Sequence, residues 1–129
     1  MKQQLLTQYE EHLDILRQSA QQDRNNIFIS RGIALLFWEQ FELAKRVLQA
    51  ALVDDGNPLA AAGTDREIIM DAYEMYVFID EDIWLDMLAD AQRLQCVELD
   101  DALVTRIVEQ YVPVFETVLQ NVKNDKKSR

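Results

Sequence analysis

Apolar residues recur every three or four positions along almost the whole chain, the period of a helix that buries one side. The strongest run is Arg31 to Val53, where Ile33, Phe37, Phe41, Ala44, Leu48 and Ala51 form one row. Leu36, Leu43, Val47 and Ala50 form a second row beside it. Two adjacent rows cover more than the single stripe of a surface helix, so this segment is predicted to lie at the centre of a packed helical domain. Its polar strip, Glu39, Glu42, Arg46 and Gln49, runs into apolar Leu35 and Trp38 toward the N-terminus. Those two are the candidate interface residues on this helix, unless they pack beneath a neighbouring one.

The same periodicity predicts four further helices. Lys2 to Gln22 carries Leu6, Tyr9, Leu13, Leu16 and Ala20 on one seam. Asp23 is placed to cap the central helix, starting near Asn25, and Gly56 to end it. Thr64-Asp65-Arg66-Glu67 reads as a capping box opening a helix to about Phe78, with Ile69, Ala72, Tyr73 and Tyr76 inward. A fourth helix, roughly Asp82 to Leu94, shows Trp84, Leu88 and Ala91 on one side. The last runs from Glu98 or Asp100 to about Lys123 along Val104, Val108, Tyr111, Phe115, Val118 and Val122, with a kink expected at Pro113. The expected fold is all-α, an antiparallel up-and-down four-helix bundle with one additional shorter helix. Residues 1–124 are expected to form one domain and 125–129 a disordered polar tail.

Composition narrows the function classes. Three glycines and two prolines in 129 residues leave few turns, and the formal charge of −10 disfavours non-specific attraction to phosphate backbones or anionic membranes. One cysteine, Cys96, permits no intrachain disulfide. No apolar leader or membrane-length stretch stands out, so a cytoplasmic protein is expected.

Candidate chemistry is sparse. His12, the single histidine, has no partner spacing for metal binding or general-base work and is expected to pack half-buried beside Tyr9 and Leu16. Asp80-Glu81-Asp82 fits a helix cap better than a metal site. Phosphate-binding glycine loops, nucleophile elbows, paired cysteines and zinc motifs are missing, so no cofactor and no metal are expected.

Four segments carry a family resemblance. Phe37 with Phe41-Glu42-Leu43-Ala44 and Leu48, then TDREIIMDAY from Thr64 to Tyr73, IWLDMLAD from Ile83 to Asp90, and Tyr111-Val112-Pro113-Val114-Phe115, occur in order from about residue 30 onward. Together they resemble the HEPN-type nucleotidyltransferase substrate-binding proteins. The resemblance implies a dimerising helical bundle, paired with a small nucleotidyltransferase in a two-component, often toxin–antitoxin, system. In RNA-cleaving members an arginine is followed after four residues by a histidine and then, two further on, by a tyrosine. Those positions fall here on Ala91, Cys96 and Glu98. Arg93 is two residues off, about 200 degrees round a helix. The family's Gln-Arg pair is Leu35-Leu36, and its Glu is Trp38.

The resulting expectation is a non-catalytic member, a homodimer acting as a binding or partner protein. Asp90, Arg93, Cys96 and Glu98 are its candidate binding residues, and Leu35, Trp38 and Trp84 its candidate interface. Two alternatives stand beside it. One is a residual HEPN ribonuclease toxin using Arg93 with His12. The other is a stand-alone acidic helical adaptor or immunity-type protein.

Overall fold

A computed structural model describes residues 2–94 and 100–124. Among the described residues every regular element is helical. The helices are α1 (Lys2–Arg17), α2 (Ile27–Asp54), α3 (Asp65–Met75), α4 (Glu81–Leu94), α5 (Asp101–Arg106) and α6 (Val112–Lys123). Short 3-10 turns follow α1 and precede α3, and one π turn, Ile107–Tyr111, joins α5 to α6 in a continuous rod. Residues 95–99, with Cys96 and Glu98, and the tail 125–129 lie outside the described residues.

Local chemistry sets the ends of the elements. Asn26, not Asp23, caps α2: its Oδ1 accepts from the amides of Phe28 at 2.9 Å and Ile29 at 3.4 Å. Asp23 instead accepts from the Asn25 amide at 3.0 Å and shapes the preceding turn. Gly56 closes α2 at φ 103°, a left-handed conformation open to glycine without strain, while the Asn57 amide donates to the Leu52 carbonyl. The capping box of α3 is formed on both sides, Glu67 N to Thr64 Oγ1 and Thr64 N to Glu67 Oε1. Two helices are shorter than their periodicity suggests. α1 tightens after Arg17 and leaves Ala20 exposed, and α3 stops at Met75, before Phe78.

Helix α2 is the central element, touching α1, α3, α4, α5 and α6. All six residues of its predicted main row are buried. Phe37 stacks on Tyr111 at 5.3 Å between centroids, and Phe41 meets Trp84 at 6.2 Å. Trp84 also lies edge-on to Phe115 and has no exposed surface, so its expected place in an interface gives way to one at the centre of the core. The reason is geometric: α4 turns its Trp84 face toward α2 and α6, not outward. Leu35 is 56 % exposed, whereas Trp38 is half-buried and packs against the core.

Helices α1 and α6 run antiparallel, since Lys123 pairs with Glu10 and Arg17 with Glu116. α4 likewise opposes the last rod, with Trp84 at Phe115 and Asp90 at Arg106. A small cleft lined by Arg24, Arg31 and Asp101 puts the starts of α2 and α5 together. One end of the molecule therefore gathers the C-termini of α1 and α4 and the N-termini of α2 and α5. The other gathers the C-terminus of α2, the end of α3 and the turn into α4.

Candidate functional site

The kink expected at Pro113 is resolved as the π turn just before it. Proline has no amide hydrogen and its ring crowds the carbonyl four residues back. Here the Val112 amide donates to the Ile107 carbonyl, an i→i+5 closure that absorbs one extra residue. In an undisturbed α-helix Arg106 and Tyr111 would lie about 140 degrees apart. The wider turn brings both onto the side facing α4, where they meet Asp90.

Asp90 is 5 % exposed, on the same side of α4 as Met87 and Ala91. A carboxylate in the last turns of a helix lies at the negative end of the helix dipole, so its burial needs strong donors. It has four. Arg106 grips it with both prongs, Nε to Oδ2 at 3.1 Å and Nη2 to Oδ1 at 3.0 Å. The Tyr111 hydroxyl donates to Oδ2, and Arg93 Nη1 donates to Oδ1 at 3.3 Å from one turn further along α4. Arg93 also lies 3.6 Å from Asp100, which caps α5 by accepting from the Leu103 amide at 2.7 Å.

The electrostatics follow from this packing. Burial, reinforced by the hydrogen bond to Asp90, pushes the Tyr111 phenol well above its ordinary value. The hydrogen bond to Asp90 raises the Arg106 guanidinium further above its own. The phenol is held neutral as a donor and the guanidinium is held charged. With its acceptor sites engaged, Asp90 is poorly placed to take a proton from a substrate. The Arg93 side chain is 53 % exposed and that of Arg106 30 %, so a cationic rim covers a buried anion.

Of the candidate binding residues, Asp90 and Arg93 meet directly. Arg106 and Tyr111 are missed by sequence reasoning because a 3.6-residue period puts them on different faces. The proline at position 113 was the available signal. Ala91, at the motif's arginine position, is 4 % exposed in the core.

His12 belongs to a separate polar seam between α1 and α2. Its Nδ1 lies 2.5 Å from Gln40 Oε1, its Nε2 3.4 Å from Glu39, and Gln40 donates to the Tyr9 carbonyl at 3.3 Å. Gln40 is fully buried, so His12 locks α1 onto α2 while Arg93 is engaged with Asp90 and Asp100. Asp80 of the acidic triplet caps α4, its Oδ1 accepting from the amides of Asp82 and Ile83.

Among the described residues, a helical fold with one buried carboxylate, wrapped by arginine and tyrosine, is thus the class that fold and site define. Residues 4–124 match the family model described as nucleotidyltransferase substrate binding protein like. The chain belongs to that family. No curated protein and no solved structure matches it.

Proposed function

We propose that this chain is a HEPN-type, non-catalytic binding subunit that partners a small nucleotidyltransferase in a two-component, toxin–antitoxin type of system in the cytoplasm. One observation carries this reading above the others. The polar groups nearest the family's cleavage motif satisfy one another around Asp90 instead of standing free for a substrate. Ala91 at the arginine position supports it, as do Cys96 and Glu98 in place of histidine and tyrosine. The packing of α1, α2, α4 and the α5–α6 rod is taken as the antiparallel up-and-down four-helix bundle of such proteins, with α3 as the shorter addition, residues 1–124 forming one domain. The exposed Leu35, with half-buried Trp38 on the same helix, is assigned to a homodimer contact. The solvent-facing rim of Arg93, together with Cys96 and Glu98, is assigned to ligand or partner binding.

The test is co-expression with the nucleotidyltransferase encoded beside this chain's gene, followed by purification through a tag on one partner. A stable pair, with no RNA cleavage by this chain alone, is expected. Absence of a neighbouring nucleotidyltransferase, failure to co-purify, or RNA cleavage abolished by His12→Ala would contradict it.

A further inference from the structure

The charge of this chain is not spread evenly. Along the sequence, Val47 to Gln92 holds eleven carboxylates and a single cation, Arg66, while the remaining residues hold twelve acids and twelve cations. Two of the eleven meet cations from outside that stretch, Asp65 with Lys45 and Asp90 with Arg93 and Arg106, and the rest leave the end of α2, α3 and the first turns of α4 acidic. Two hydrogen bonds tie the end of α2 to α3, Tyr76 Oη to Asp55 at 2.5 Å and Asn57 Nδ2 to Asp71 at 3.3 Å.

That acidic end also exposes apolar side chains. Val77 is 56 % exposed, Leu59 84 % and Val53 38 %. At the turn between α3 and α4 a cleft of about 460 Å³ opens, walled by Tyr73, Val77 and Phe78 and rimmed by Asp80, Glu81 and Asp82. Its floor is firm, since Phe78 stacks at 5.3 Å on the buried Tyr76. The accessible lining of the cleft is mostly polar, with Val77 as its exposed apolar side chain. Acidic groups around such an anchor are the pattern of a protein-docking surface, where charge steers approach and apolar contact holds.

We infer that the cleft between α3 and α4 and its acidic surroundings dock a protein face that carries lysine or arginine around an apolar anchor. The inference rests on the reading above in placing that face on the nucleotidyltransferase subunit. Charge decides the class of occupant. Nucleic acid and anionic membranes are repelled from this end, and a second copy of the chain would bring like charge to it if the two met end to end.

The test is titration of the intact chain with the co-encoded nucleotidyltransferase subunit, read as Kd and its salt dependence. The combined variant Val77→Ser, Glu81→Gln, Asp82→Asn keeps the Asp80 cap and is expected to weaken binding about tenfold or more and flatten the salt dependence. Leu59→Ser with Val77→Ser alone leaves all charges in place and is expected to weaken binding about fivefold with the salt slope unchanged. Neutralising Glu11 and Glu109, on α1 and in the π turn, removes the same charge elsewhere and is expected to stay within about twofold. Equal binding by wild type and both cleft variants would overturn the docking surface and leave the partnership standing. An equal loss in the Glu11 and Glu109 control would overturn it too, as general attraction. A self-associated chain driven to monomer by the cleft variants, with subunit binding intact, would make the surface a self-contact and refute the inference. No binding even by wild type would bring down the partnership reading together with it.

Discussion

Asp90 shows how a single buried carboxylate draws its neighbours into one closed network. Its carboxylate accepts from two guanidiniums and a phenol, so Asp90→Asn leaves Arg106 without its bidentate partner and puts an amide hydrogen against donors. Because both arginines retain water contact, the expected loss is about 2–3 kcal/mol, at or below the bottom of the range for breaking a buried ion pair. Urea unfolding of the variant measures it as a lowered midpoint at unchanged slope. Tyr111 allows a second check. Burial lifts the phenols of Tyr9, Tyr76 and Tyr111 far above the ordinary 10.0. In the unfolded chain these groups lose protons near pH 10, while the folded chain keeps them. Their contribution to stability is complete below the unfolded value and is lost as pH rises beyond it. The urea midpoint should fall steadily above about pH 10, with phenolate absorbance of these groups appearing with unfolding. Tyr111→Phe should make that alkaline fall shallower.

At the scale of elements, the helices that follow simple periodicity were legible in the sequence and the irregular ones were not. The main row of α2, the Thr64 capping box and the glycine stop at Gly56 follow from spacing and side-chain chemistry within a few residues. Thr64→Ala, which removes the hydroxyl from the Glu67 amide, should cost about 1 kcal/mol in thermal or urea unfolding. The π turn depends on how Pro113 and the side chains of α4 compete for one rod, and a local pattern does not contain that competition. Arg106 and Tyr111 were hidden for the same reason, and so was the burial of Trp84, which depends on the direction α4 faces. The turn holds one residue more than regular helix, so deletion of the exposed Glu109 should relax it to α-helix. The faces of α5 and α6 then stay nearly in register, with less than about 2 kcal/mol lost. Insertion of an alanine at the same place should rotate one half of the rod against the core and unfold it. Circular dichroism with urea titration separates the two outcomes.

The whole molecule is polarised. One end holds the Asp90 network with Arg24, Arg31 and Arg93, and most of the acidic excess lies toward the other. No helix among the described residues is long and apolar enough to cross a membrane. The family match spans residues 4–124, so the helical class and the broader substrate-binding family were readable in the sequence, while the inward-turned network at Asp90 required three-dimensional packing. Under the proposed function the chain acts through a nucleotidyltransferase partner. Sedimentation velocity of this chain mixed with the proposed nucleotidyltransferase partner tests that claim most directly. A boundary faster than either protein alone, persisting at micromolar concentration, is the predicted result. Two independent boundaries, unchanged on mixing, would contradict the account.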